Sequence, residues 1–118
     1  MAKLRRGDVI VTAFPFAERS DMKVRPALLY AGPWNINGSG GLSVCWALMI
    51  TSSRRMHWPG DVEIFDPGTA GLPKTSLVRT LKIVCVDMGS VIQAIGSLDA
   101  KTWRAVEKNV QSHLKKVR

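Results

Sequence analysis

The stretch MKVRPALLYA, residues 22–31, places an arginine directly before a proline and an apolar run. The run predicts a strand over 24–31. Pro26 fits only at the first residues of a strand or on an edge, because proline has no backbone N–H to donate. Arg25 therefore lies at the start of a predicted hydrophobic strand. It is either the end of a solvated loop or a cation that the strand holds in position for a ligand.

Further strand-like segments lie on both sides of this stretch. Apolar runs and alternating patterns predict strands at 7–14, 42–52, 62–65, 75–87 and 89–98. The segment 42–52 is so nearly unbroken in its apolar character that we expect it to be buried on both faces. Glycine, asparagine and charged residues predict loops at 32–41 and 53–61.

The C-terminal segment changes from a strand period to a helical one. Asp99 is the expected N-cap, and apolar residues follow on one helical stripe: Trp103, Val106, Val110, Leu114 and Val117. Short strands followed by one such helix predict a mostly β chain. We expect a small, strongly curved barrel with a C-terminal amphipathic α-helix.

Length and composition limit the class of protein. The 118 residues fit a single domain over 1–118, and 46% hydrophobic residues suffice for a buried core. We find neither a run long enough to span a bilayer nor a signal-peptide core, so we expect a cytoplasmic protein. Cys45 and Cys85 are then expected to be reduced, buried thiols, with a disulfide between them as the alternative. The number and spacing of the His and Cys residues predict no metal site. We expect no cofactor.

The charge balance favours an acidic partner. Seventeen Lys and Arg residues against nine Asp and Glu residues give a formal net charge of +8. Nucleic acid, an acidic protein and an anionic membrane surface are the three classes of partner that this charge suits. The alternative is that the charge serves solubility alone.

Three groups of side chains could carry chemistry. They are Arg25, the segment after strand 42–52 with Thr51, Ser52, Arg54, His57 and Trp58, and finally Arg79. Hydroxyls, cations and an aromatic face are what single-stranded nucleic acid needs. Each group also has a structural alternative. These are a turn for Thr51 and Ser52, a solvated loop tip for Arg54 and Arg55, and a core lid for Trp58. For Arg79 they are a surface position on a strand or an ion pair with Asp87 or Glu63.

The order of motifs resembles the MazF/PemK family of toxin endoribonucleases over nearly the whole chain. The motifs are RGDVIVTAFPF, VRPALLYA, ALMITSS, VEI, GLPKTSLVRTLKIVCVD and IGSLDAKTWRAVEKNV. The resemblance implies an SH3-like barrel of the CcdB/MazF type that forms a homodimer. It also implies metal-independent cleavage of single-stranded RNA, and inhibition by a cognate antitoxin with an acidic, disordered tail.

The resemblance implies site residues as well. The arginine of the Arg-Pro motif and the threonine of the following strand are Arg25 and Thr51 here, and they are the expected catalytic pair. Attack of a ribose 2′-hydroxyl on its own phosphate needs a base, an acid and donors to the phosphate oxygens. RNA binding is expected from Ser52, Arg54, His57 and Arg79.

Some positions depart from the family pattern. Where many relatives carry acidic residues before the Arg-Pro motif, this chain has Ser20 and Asp21, with Glu18 farther back, and Leu81 stands where some have Asp. The proton acceptor is therefore open among His57, Asp21 and Glu18. A non-catalytic gyrase inhibitor of the same barrel is one alternative function, although such proteins use a terminal Trp-Gly that this chain lacks. A binder of RNA or antitoxin that has lost cleavage is the other.

Overall fold

The structure is a computed structural model that describes residues 3–15, 22–36, 38, 41–54 and 56–115. Its strands are β1 Asp8–Pro15, β2 Met22–Asn35, β3 Ser43–Ser52, β4 Val62–Glu63, β5 Ser76–Asp87 and β6 Val91–Ser97. A 3₁₀ turn, Met88–Ser90, precedes β6, and the helix α1 spans Ala100–Lys115. The strands form one antiparallel sheet in the order β4-β5-β3-β2-β1-β6.

The sheet buries apolar side chains on both faces. Successive side chains of a strand point to opposite faces, and here each face has its own cluster. Leu28 and Leu48 belong to the cluster that also contains Val106 of α1. Their chain neighbours Leu29 and Ala47 belong to a second cluster. The prediction that 42–52 is buried on both faces therefore holds for its centre, although Trp46 is exposed.

Irregular pairing bends the long strands. The register between β3 and β5 pairs Leu48 with Ile83 and then Ile50 with Val78, so β5 has extra residues between these two pairs. Further shifts interrupt the pairing of β1 with β6 and of β2 with β3. Such bulges increase twist and curvature. The mostly β fold with one C-terminal helix is confirmed.

The helix begins as predicted and ends differently. The Asp99 carboxylate accepts hydrogen bonds from the Thr102 backbone N–H (2.9 Å) and hydroxyl (2.7 Å), which is the expected N-cap. Val106 is fully buried, but Leu114 is 66% exposed, so its predicted place on the buried stripe is wrong. In the last turn it is His113, not Leu114, that reaches β5. Val117 lies outside the described residues.

Two further expectations need correction. Strand β2 begins at Met22 and continues to Asn35, so it is longer than 24–31 at both ends and includes part of the predicted loop 32–41. Pro26 is not at its start. It lies where β2 pairs with β1 alone, because pairing with β3 begins at Ala27. Cys85 is exposed rather than buried, because it lies on an outward-facing position of β5, whereas Cys45 is buried.

Within the described residues, no helix is long and apolar enough to cross a membrane. The same residues contain no group of three or more His, Cys, Asp or Glu side chains arranged to hold a metal ion.

Candidate active site

A cleft of about 560 Å³ opens beside Arg25 of β2 and the C-terminal part of β3. Its walls are formed by β1, β2, β3 and β5 and by the loop 53–61. Its lining residues are Phe14, Arg25, Met49, Ile50, Thr51, Met56, Trp58, Arg79, Lys82 and Val84. The cleft thus combines apolar walls with cations and one hydroxyl.

Strand register brings Arg25 and Thr51 together. Ala27 of β2 and Met49 of β3 form the last pair of the β2–β3 ladder. Arg25 lies two residues before Ala27, and Thr51 lies two residues after Met49. Residues two apart in a strand point to the same face, so Arg25 shares a face with Ala27 and Thr51 shares one with Met49. The sequence-predicted pair therefore lines the same cleft, at the place where the β2–β3 ladder ends.

Arg79 is held by three contacts and is 7% exposed. Its Nη2 donates to the Met56 carbonyl at 2.6 Å, and its guanidinium carbon lies 4.4 Å from the centre of the Trp58 ring. Asp61 Oδ2 lies 3.9 Å from the same Nη2. The ion-pair partner is therefore Asp61, and the expected partners Asp87 and Glu63 are wrong.

Asp61 connects the loop 53–61 to this arginine. Its Oδ2 accepts a hydrogen bond from the Trp58 backbone N–H at 2.7 Å, which closes a turn around Pro59. Its Oδ1 is buried without a hydrogen-bond partner among the described residues. The pairing of a buried carboxylate with a buried guanidinium fixes the wall of the cleft that carries Trp58.

The charge of the cleft is positive. Arg25, Arg79 and Lys82 line it, and none of the described lining residues is a carboxylate or a histidine. The positive ends of these side chains suit a phosphate, and the arginine fork can hold two phosphate oxygens at once.

Lys82 and Asp61 were not predicted from the sequence. In a regular strand, Lys82 would face away from Arg79, because residues three apart point to opposite sides. The register shift between Val78 and Ile83 falls on this segment, and both side chains line the cleft. A single sequence carries no signal for that irregularity.

Three predicted RNA-binding residues lie outside the cleft lining. The Ser52 hydroxyl accepts a hydrogen bond from the Arg54 backbone N–H at 3.3 Å, as expected if Ser52 serves to form a turn. Arg54 and His57 are exposed, and a ring nitrogen of His57 lies 3.3 Å from the Ser53 carbonyl oxygen. The possible proton acceptors Glu18 and Asp21, and the loop residue Arg55, lie outside the described residues.

The loop 53–61 is also anchored to α1. The Gly60 carbonyl accepts hydrogen bonds from the Thr80 hydroxyl (2.7 Å) and from the Asn109 amide (3.1 Å). The Thr80 oxygen is also 2.8 Å from His113 Nε2. A side chain at Gly60, whose φ is +83°, would collide with His113, so the loop approaches the helix as closely as glycine allows.

A family model described as PemK-like, MazF-like toxin of type II toxin-antitoxin system matches residues 5–114. The chain belongs to this family. The resemblance inferred from the motifs is thereby confirmed. No curated protein sequence matches the chain.

Solved structures of the family share the fold. The toxin MazF-mt6 of Mycobacterium tuberculosis is 15% identical, with a TM-score of 0.67, and the match covers 94% of this chain and 99% of that one. MazF of Deinococcus radiodurans is 24% identical, with a TM-score of 0.67 and coverages of 93% and 94%. An endoribonuclease in complex with its cognate antitoxin from a mycobacterial species is 17% identical, with a TM-score of 0.64 and 99% coverage of both chains.

Proposed function

We propose that this member of the PemK/MazF family is an endoribonuclease that cuts single-stranded RNA without a metal ion. The observation that carries the proposal is that Arg25 and Thr51, which lie just beyond the last pair of the β2–β3 ladder, line the same cationic cleft. Family membership supports it, and so does the net charge of +8, which attracts a polyanion.

The proposed reaction uses the RNA as its own nucleophile. The 2′-hydroxyl oxygen attacks the neighbouring phosphorus and loses its proton, while the bond from phosphorus to the 5′-oxygen breaks and that oxygen gains a proton. The products carry a 2′,3′-cyclic phosphate and a 5′-hydroxyl. Because the nucleophile belongs to the substrate, no water has to be activated, and the protein's main task is to stabilise the charge of the phosphorane.

Arg25 and Thr51 suit that task. The guanidinium can donate two parallel hydrogen bonds to phosphate oxygens, and the Thr51 hydroxyl can donate one more. Within the described residues, no carboxylate lies at ion-pair distance from Arg25, in contrast to Arg79. Losing one such donor typically lowers the rate by roughly 10²–10³-fold.

The other predicted residues receive different assignments. Ser52, Arg54 and His57 belong to the end of β3 and the loop that borders the cleft, so we assign them to contacts with RNA outside it. Arg79 is buried and already paired, so we assign its main role to holding the loop 53–61 in place.

Cleavage of a long single-stranded RNA in EDTA tests the proposal. We expect wild-type protein to cut at a recurring short sequence and to leave cyclic-phosphate and 5′-hydroxyl ends. Arg25→Ala and Thr51→Ala should each slow cleavage by roughly 10²–10³-fold, and Arg25→Lys should not restore it, because an ammonium lacks the planar fork.

The matched control is Arg104→Ala. It removes the same charge from an exposed position of α1, outside the cleft, and should leave the rate within about twofold. Intact RNA with wild-type protein, or equal rates for Arg25→Ala and Arg104→Ala, would contradict the proposal. Binding without cleavage would favour the non-catalytic alternative.

We also propose that the chain acts as a homodimer and is inhibited by a cognate antitoxin whose acidic, disordered tail occupies the cationic cleft. A solved relative is an endoribonuclease in complex with its cognate antitoxin, which supports an antitoxin partner for this chain. Sedimentation should give twice the chain mass. An acidic peptide should compete with RNA in wild-type protein and compete more weakly in Arg25→Ala, whereas equal competition would contradict occupation of the cleft.

A further inference from the structure

Trp58 presents an aromatic surface inside the cleft. The residue lines the cleft together with Arg25 and Thr51, and it is 39% exposed. It belongs to neither of the two buried clusters. The expectation that Trp58 caps the core therefore finds no support among the core contacts, and its ring needs another explanation.

The ring is fixed by its neighbours. The guanidinium of Arg79 lies 4.4 Å from the ring centre, and the Trp58 backbone N–H is bonded to Asp61. Arg79 is in turn bonded to the Met56 carbonyl. Since these contacts hold both the ring and the backbone, a flat ligand that stacks on Trp58 meets a surface already ordered before binding.

The neighbouring charges select the kind of ligand. Arg25 lines the same cleft as Trp58, and the Lys82 Nζ lies 5.9 Å from the centre of the Trp58 ring, so both supply positive charge to the cleft that the indole lines. An aromatic face beside cations suits a ligand that carries flat rings along an anionic backbone. Single-stranded nucleic acid has that composition, since every base offers a face for stacking.

We propose that Trp58 is a nucleobase-stacking platform for the nucleotide next to the phosphate held by Arg25, with Arg79 and Asp61 as its positioning residues. The identity of that phosphate as the cleaved one rests on the proposed function. The stacking itself does not, because it concerns binding alone. Trp58 thus determines the part of the affinity that depends on the bases. Arg25 contacts the phosphate backbone of the RNA, whatever its base sequence.

The test compares two oligomers of equal length and charge. One is a labelled random-sequence 2′-O-methyl dodecanucleotide, and the other is the dodecamer without bases. The 2′-O-methyl groups block cleavage, so failure of the nuclease proposal would not affect this measurement. Stacking on an aromatic side chain is worth about 5- to 150-fold in affinity per base. We therefore expect wild-type protein to prefer the oligomer with bases by at least about fivefold.

Substitution of Trp58 should act on this preference alone. In Trp58→Leu the preference should fall below about twofold, with unchanged affinity for the oligomer without bases. Trp58→Phe should retain most of it, because a ring remains. Arg25→Ala should lower the affinity for both oligomers by the same factor. Trp34→Leu, which changes an exposed tryptophan outside the cleft lining, is the matched control and should keep the wild-type preference.

Two results would overturn the proposal. One is a wild-type protein that binds both oligomers equally. The other is a Trp58→Leu protein that keeps the wild-type preference while its thermal unfolding stays cooperative. If Trp58→Leu does not fold, Trp58→Phe and Asp61→Ala take its place. Asp61→Ala removes the acceptor of the Trp58 backbone N–H, so the proposal then requires that it lowers the preference and that Trp58→Phe does not.

Discussion

The buried pair of Asp61 and Arg79 should be coupled in the free energy of unfolding. The side chains are 3% and 8% exposed, and 3.9 Å separates the charged atoms. At an effective dielectric constant of about 20, two unit charges at this distance attract by ~4 kcal/mol. Desolvation offsets part of that attraction in the intact protein. A guanidinium that loses its carboxylate keeps the desolvation cost, however, and breaking such a pair typically costs about 3–5 kcal/mol.

The substitution Asp61→Asn isolates the charge. An asparagine oxygen can still accept the hydrogen bond from the Trp58 backbone N–H, so the turn around Pro59 keeps its closure. Arg79 also keeps the Met56 carbonyl. We therefore expect destabilisation of about 3 kcal/mol, at the lower end of the range for broken buried pairs.

Urea unfolding of a double-mutant cycle measures the coupling. The cycle comprises wild type, Asp61→Asn, Arg79→Met and the double variant. Tryptophan fluorescence monitors the unfolding of each protein. Because the double variant leaves no unpaired buried charge, its loss of stability should be smaller than the sum of the single losses by at least about 1 kcal/mol. Additivity within about 0.5 kcal/mol would refute the reasoning, since independent sites behave that way.

Three further predictions concern the fold. Gly71→Ala and Gly7→Ala both place alanine at positive φ, which costs about 1–2 kcal/mol, but only at Gly71 would the new Cβ overlap a β6 carbonyl. Urea unfolding should therefore show Gly71→Ala to be less stable than Gly7→Ala by at least about 1 kcal/mol, and equal losses would contradict this. Burial and the hydrogen bond to Glu107 raise the pKa of Tyr30 from 10.0 to about 12. The neutral phenol thus stabilises the fold below pH 10, and this stabilisation is lost as the pH rises towards 12. Since Tyr30 is the only tyrosine, tyrosinate absorbance should titrate near pH 12 in the folded protein and at a lower pH in Glu107→Gln. A thiol reagent should modify one cysteine per folded chain, Cys85, and two after denaturation; two from the outset would show that the other thiol is accessible.

The strands and the helix follow from local patterns that the sequence displays. Strand β3 is apolar because its centre is covered on both faces, and α1 is amphipathic because one side packs on the sheet. The exceptions lie at element ends. Leu114 has the spacing of a buried residue, but in the last turn it is His113 that contacts β5, and hydrophobic periodicity alone does not reveal that exchange.

The candidate site was predictable where the order of sequence motifs indicated its residues. Arg25 lies two residues before Ala27 and Thr51 two residues after Met49, the last pair of the β2–β3 ladder, and the motif order predicted both residues. The position of Lys82 in the cleft depends on an irregular strand register, and the contact of Asp61 with Arg79 depends on the turn that Asp61 forms with Trp58. Those contacts join residues far apart in the chain or at irregular positions, and one sequence contains no periodic signal for them.

The most direct test of the central claim is the end chemistry of RNA fragments produced in EDTA by wild-type protein and by Arg25→Ala. The proposed reaction predicts 2′,3′-cyclic phosphate and 5′-hydroxyl ends at a recurring short sequence with wild-type protein, and at least a 10²-fold slower appearance of the same ends with Arg25→Ala. Uncut RNA, 5′-phosphate ends, or an Arg25→Ala protein that cuts at the wild-type rate would contradict it.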